Sequence, residues 1–205
     1  MIEILNHPLV LKDLTILRDK NSGTEAFRNA TYRIGLHLAI AATSNLALKS
    51  VQVDTPMETT AGAEIRGKVI IIPVLRAGLG LVSAFQEIFP DSVLGYIGLR
   101  RDETTFSAEE YYYSMPEILP EDKVIILEIM LATGGSTSSA LSKLQLEGAE
   151  NMTLVSIISA PEGLEKIRTE FPKVSIISAA LDRELNDKKY ILPGLGDAGD
   201  RYSGM

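Results

Sequence analysis

The stretch VIILEIMLATGGSTSSALSKLQLEG, Val124–Gly148, changes character twice within one turn of thought for the chain: apolar run, small-residue loop, amphipathic segment. A short run rich in Val and Ile reads as a buried strand, and Ser136–Leu146 reads as a helix closed by Gly148. Strand, turn and helix in that order make one unit of an α/β fold. In open α/β sheets, ligands sit at the carboxyl ends of the strands. Glu128 is expected there, at the end of a Val124–Leu127 strand. Thr133-Gly134-Gly135-Ser136 then turns into the helix, whose free N–H groups and dipole form an anion site. Ser136, Thr137 and Thr133 add hydroxyl donors. A phosphate suits this cradle, with the Glu128 carboxylate beside it to accept bonds from sugar hydroxyls. A tight turn with a serine cap also suits these residues, and the loop alone does not separate the two.

The surrounding chain repeats the rhythm. Apolar runs at Val69–Leu75, Val93–Leu99, Thr153–Ser159 and Val174–Ala180 are too continuous for strands with one wet face. They predict a parallel sheet covered on both sides. Helices are expected at Gly80–Ile88 and at Pro161–Phe171, closed by Pro172. Ser22-Gly-Thr-Glu25 has capping-box spacing, and behind it Phe27, Ala30, Ile34, Leu38 and Ala41 mark one buried stripe of a long helix. Two segments break the pattern. Residues 100–123, polar and then aromatic, suggest a projecting arm. The tail, 181–205, carries PGLGDAGD, which reads as too glycine-rich for a helix or strand. The fold class is therefore α/β, a doubly wound parallel sheet in one domain, with a core over about 50–180, the arm, and a hood from 1–25 and 181–205.

Composition narrows the function. The chain has 205 residues, 45% hydrophobic and 23% charged, and no cysteine, so disulfides and thiolate metal sites are excluded. The absence of cysteine suits a reducing cytoplasm. The start MIEILNHPLV lacks the sections of a signal peptide, and no apolar run approaches the roughly 20 residues of a membrane helix. A net charge of −7 argues against nucleic acid as a partner, since that binding depends on clustered Lys and Arg. An ATPase is excluded because no GK[ST] follows the glycines, and a serine hydrolase because no G-x-S-x-G is present. His7, beside a proline, and His37, inside the first helix, read as structural.

Several stretches together carry a resemblance. LEIMLATGGS before a helix is similar to the phosphoribosyl pyrophosphate (PRPP) loop of type I phosphoribosyltransferases. With PVLRAGLG at Pro73–Gly80, LRRDE at Leu99–Glu103, YILPGLGDAGDR at Tyr190–Arg201, HPLV at His7–Val10 and LRDK at Leu17–Lys20, the chain resembles the uracil phosphoribosyltransferase family along nearly its whole length. The tail motif is the most specific of these. The resemblance implies a type I phosphoribosyltransferase fold and the conversion of uracil and PRPP to UMP and pyrophosphate in pyrimidine salvage. It implies no protein metal site of its own: Mg²⁺ would arrive as the PRPP complex.

Residue roles follow from the resemblance. Glu128, Ile129, Met130, Leu131, Ala132, Thr133, Gly134, Gly135 and Ser136 would bind PRPP, with Glu128 on the ribose hydroxyls. Arg76 and Arg101 would hold the pyrophosphate, a task that suits a guanidinium fork. Main-chain groups of Ile191, Gly196 and Ala198 would read uracil, and Asp197 would lie near the ribose and the metal-bound pyrophosphate. The catalytic set is Arg76, Arg101, Glu128 and Asp197. Tyr111–Tyr113 reads as a hairpin strand or a subunit contact rather than a base-stacking platform. A homodimer or higher homo-oligomer is implied, and GTP as an effector is known in some relatives.

The chain departs from the family pattern at three places. Glu128-Ile129 stands where the family has aspartate and proline, Arg100 where an aromatic is common, and Ser203 where an aromatic is expected. The longer acid moves a carboxylate by one methylene, and about 1 Å of misplacement can cost on the order of 100-fold in rate. These changes keep open a second function class, a catalytically impaired regulatory protein that binds PRPP, uracil or UMP. Turnover against binding without turnover separates the two.

Overall fold

The computed structural model describes residues 1–101 and 108–205, with the backbone alone at 100, 101, 108 and 109. In chain order the elements are β1 (Ile2–Ile4), α1 (Pro8–Arg18), α2 (Thr24–Ala42), β2 (Leu48–Asp54), β3 (Thr59–Ile65), β4 (Val69–Leu75), α3 (Leu79–Ile88), β5 (Val93–Leu94) and β6 (Tyr96–Arg101). Then follow β7 (Ala108–Ser114), β8 (Lys123–Leu131), α4 (Gly135–Leu146), β9 (Asn151–Ser159), α5 (Pro161–Glu170), β10 (Ser175–Leu181), β11 (Glu184–Leu185), β12 (Ile191–Leu192) and α6 (Ala198–Ser203).

The main sheet has eight strands in the order β1-β10-β9-β8-β4-β6-β7, with β5 also beside β4. All pairs are parallel except β6 with β7. The runs at Val69–Leu75, Val124–Leu127 and Thr153–Ser159 have the predicted cause, burial on both faces, whereas the run at Val93–Leu99 is broken at Gly95 into half-buried β5 and the start of β6. Ile71, Ile125, Leu127 and Val155 join the stripes of α1, α2 and α3 in one core. Ile70, Ile72, Val124 and Ile126 join α4 and α5 in the other. Each fully buried Val or Ile contributes roughly 1.5–3 kcal/mol, so this double layer fixes the sheet.

Four local expectations are corrected. The capping box does not form: helix α2 is capped by Gly23 without a side-chain bond, and the Ser22 N–H donates to the Asp19 carbonyl at 3.1 Å. Its stripe ends on buried Ala42 rather than on Ala41, which is half-buried. The tail does form regular structure: β11 pairs with β12, and the Asp197 carboxylate caps α6 by accepting from the Asp200 N–H at 3.1 Å. Glu128 does not end its strand, since β8 runs on to Leu131, paired with Ser159 of β9.

His7 is structural, as expected. Its Nδ1 accepts the Leu9 N–H at 3.2 Å and so caps α1, while its ring lies 4.6 Å from that of His37. The hairpin β2–β3 had no sequence forecast. It is exposed on both faces apart from Val51 and Gly62, so no periodic apolar face announces it. The arm is the antiparallel pair β6–β7, whose connecting residues lie outside the described ones. Beyond Ser114 the chain packs back on the second core through Met115 and Ile118.

Candidate active site

The carboxyl ends of β4 and β8 open into a pocket of two adjoining lobes that share Leu75, Arg76, Ala77, Leu99 and Met130. The first lobe, about 210 Å³, is floored by Ala132–Thr137 and walled by Glu128. The second, about 560 Å³, adds Tyr111, Asp197 and Gly199.

The first lobe grows from the turn after β8. Gly134 takes φ +74°, a left-handed conformation that a side chain resists, and this bends the chain directly into α4. The N-cap residue, Gly134, has no side chain to cap the helix, and only the Gly135 N–H finds a side-chain acceptor, Thr133 Oγ1, at a long 3.4 Å; the first turn holds no acid, so the N-terminal dipole faces the lobe. A Cβ built on Gly135 would meet only Thr133 Oγ1, at 3.7 Å, which leaves open space above the turn. That combination suits an oxyanion group such as a phosphate.

Glu128 lies inside β8, three residues before its end, and its side chain reaches the lobe wall. The Thr137 hydroxyl donates to Glu128 Oε2 at 3.5 Å, a long bond. Burial pushes the Glu128 carboxyl up to about 8, against the opposing pull of the bonds from Thr137 and from the Ile129 N–H. Without a ligand, the carboxyl therefore keeps its proton at neutral pH. A ribose hydroxyl or a nearby cation would favour the charged form.

Of the remaining expected PRPP residues, Met130, Ala132, Thr133, Gly134, Gly135 and Ser136 line the first lobe. The side chains of Ile129 and Leu131 are buried in the two cores instead, the Leu131 carbonyl accepts from the Ala160 N–H at 2.9 Å, and neither residue lines the pocket. Arg76 follows the last residue of β4 across a cis peptide bond, is exposed, and borders both lobes. Arg101 ends β6 opposite Ala108, and its side chain lies outside the described residues.

The tail supplies the far wall. Asp197 is exposed on the second lobe. Of the three residues expected to read a base, Ile191 and Ala198 bury their side chains in the first core, and Gly196 is exposed beside Asp197. None of the three lines the pocket. Next to Ser203, the Tyr202 ring lies against Gly80, and Arg28 Nε donates to the Tyr202 carbonyl at 2.7 Å.

Several lining residues escaped the sequence reading, Tyr111 above all. Between β6 and β7 the register shifts: Gly98 faces Tyr112, Leu99 faces Glu110, and Tyr111 is left over. Such a bulge re-aims a side chain, and here it turns the Tyr111 ring toward the second lobe. The glycine at 98 was its only trace in sequence, as the ring lies so close that a Cβ there would be 2.8 Å from it.

Among the described residues no three His, Cys, Asp or Glu converge on one point. The carboxylates of Glu128 and Asp197 face one lobe each, hard oxygen donors of the kind Mg²⁺ takes alongside phosphate oxygens. Among the same residues no helix is long and apolar enough to cross a membrane.

Comparison with known proteins agrees with this geometry. The family model described as uracil phosphoribosyltransferase matches residues 4–204. A uracil phosphoribosyltransferase of Oceanobacillus iheyensis is 42% identical over 98% of this chain and 97% of its own. The solved structure of the AQ2163 protein from Aquifex aeolicus is 33% identical, with a TM-score of 0.93 over 98% of this chain and 97% of that one. A hypoxanthine phosphoribosyltransferase from Trypanosoma cruzi shares only the fold, with 14% identity and a TM-score of 0.50 over 80% of this chain and 76% of that one. With a doubly wound sheet, a family model matched over residues 4–204 and relatives aligned from end to end, the chain belongs to the uracil phosphoribosyltransferase family.

Proposed function

We infer that the chain transfers the phosphoribosyl group of PRPP to uracil, releasing pyrophosphate and forming UMP. The observation that carries this reading is the two-lobed pocket: an uncapped glycine-rich helix start in one lobe, and Arg76 on the border with a second lobe walled by the tail. The 5′-phosphate would lie on the N–H groups of Gly135–Thr137, and Glu128 would accept from the ribose hydroxyls. Arg76, joined by Arg101 from the arm, would bind the diphosphate. Uracil would enter between Met130 and the tail loop.

The chemistry breaks the C1′–O bond to pyrophosphate and forms a C1′–N1 bond to uracil, with the N1 proton lost. Charge grows on the leaving diphosphate while C1′ becomes electron-poor. Catalysis of this kind is positioning plus electrostatic stabilisation of the leaving group. Arg76 sits where that charge develops. Mg²⁺ brought by PRPP would offset further negative charge on the diphosphate. The role in uracil salvage follows from these substrates.

A homo-oligomer fits the same reading. A two-stranded hairpin is marginal alone in water, yet β2–β3 stands exposed with Leu48, Val53 and Ile65 uncovered. A second copy would cover it. Nothing in the fold or the relatives favours the regulatory alternative. The test is product analysis with PRPP, Mg²⁺ and a panel of bases. UMP from uracil, with no product from cytosine or hypoxanthine, is expected; transfer to a purine would refute the base assignment.

A further inference from the structure

The cradle for PRPP and the loop for the base belong to different parts of the molecule. The cradle rises from β8 and α4, whereas the loop at 193–197 hangs from the tail. Transfer needs the base nitrogen held within a few tenths of an ångström of its place over C1′. Something must fix one part against the other.

The loop is tied to α1 and to the end of β10 by one ion pair, beside Arg201, which donates to the carbonyls of Leu195, Leu17 and Asp19. Arg18, the last residue of α1, lies side-on to Asp182, which follows β10 directly: Nη1 donates to Oδ2 at 2.9 Å and Nη2 to Oδ1 at 2.5 Å. The Asp182 side chain is 2% exposed. Both backbone groups of Gly194 are held by this pair. Its N–H donates to Asp182 Oδ2 at 2.9 Å, and its carbonyl accepts from Arg18 Nη1 at 2.9 Å. Gly194 itself has φ +66°, and a Cβ there would stand 2.3 Å from the Ile191 carbonyl oxygen, so the loop folds tightly back at this residue. Asp182 is in turn tied to the sheet, its N–H donating to the Ser159 carbonyl at the end of β9. Neither Arg18 nor Asp182 lines the pocket.

An ion pair with one partner buried, as here with Arg18 28% exposed, is a poor device for stability alone, because desolvation offsets much of its attraction, but it can fix one geometry. We propose that Arg18 and Asp182 are positioning residues, a clamp on Gly194 that sets where the tail loop presents the nucleobase to the ribose held by the core. The proposal rests on the phosphoribosyl-transfer reading of the pocket. It makes the pair act on the base and not on PRPP.

The experiment uses Asp182→Asn and Arg18→Lys, with Arg18→Lys carrying the test should the first fail to fold. Steady-state kinetics would give KM for uracil and for PRPP separately, and amide hydrogen exchange would be followed over 193–197 and over α4. The expected result is a KM for uracil raised at least tenfold in Asp182→Asn, less in Arg18→Lys, with KM for PRPP changed less than twofold. Exchange should quicken at Gly194–Asp197 and stay unchanged in α4. Equal rises in both KM values, or an unchanged KM for uracil, would overturn the clamp. If the parent protein formed no UMP, the transfer reading would fail by itself. Exchange over 193–197 would still judge the clamp, and no change there would refute it.

Discussion

Thr137 and Glu128 are joined by one long hydrogen bond, Oγ1 to Oε2 at 3.5 Å, and it links the first turn of α4 to the interior of β8. The bond is too weak to hold the acid charged. Burial dominates, and the carboxyl keeps its proton up to about pH 8 in the folded chain, against an ordinary value of 4.5. Between those values the folded state binds more protons than the unfolded one. Stability of the ligand-free protein is therefore highest at the acid end of this window and falls as pH rises through 8. Glu128→Gln should flatten that decline. Thermal unfolding of both proteins from pH 5 to 8.5 checks it, and parallel curves would contradict it.

Gly135 separates the cradle from the fold. A side chain there has room, since only Thr133 Oγ1 lies within reach, but it would fill the space proposed for the 5′-phosphate. Gly135→Val should leave the melting temperature within a few degrees while raising KM for PRPP roughly 10- to 100-fold, the cost of one or two lost charge-assisted bonds.

Arg76 borders both lobes at the point where the leaving group would gather charge. Removing one such stabilising donor typically costs about 100- to 1000-fold in kcat. Arg76→Ala should lose activity on that scale with an unchanged circular dichroism spectrum. A loss below tenfold would remove Arg76 from the chemistry.

Tyr111 reaches the second lobe through a bulge. If its ring packs against the base, Tyr111→Ala should raise KM for uracil by about 3- to 10-fold, the worth of an aromatic contact, and Tyr111→Phe should restore it. A larger effect on PRPP would place the ring over the diphosphate instead.

Much of this architecture is legible in the residues, for a physical reason. Val69–Leu75 was bounded correctly because both of its faces are buried and nothing polar interrupts it. Strand β8 was cut short at Leu127 because Glu128 resembles an end, although its pairing with β9 carries the strand on to Leu131. Strands β2 and β3 escaped notice because neither has a buried face to impose a period. Helix α6 is hidden by Gly199 and by the glycines just before it, and the Asp197 cap starts it. The floor of the first lobe is legible because one continuous segment, Glu128–Thr137, supplies it, whereas its other wall comes from Val74–Ala77 and Leu99. The second lobe is not legible, since it depends on a register slip at Tyr111 and on the tail docking against α2 through Arg28.

The most direct measurement is of products in one mixture: uracil labelled in the ring, PRPP, Mg²⁺ and the purified protein. The account predicts UMP and pyrophosphate appearing in equal amounts over many turnovers, with none formed when PRPP is withheld. PRPP bound but no UMP formed would contradict it.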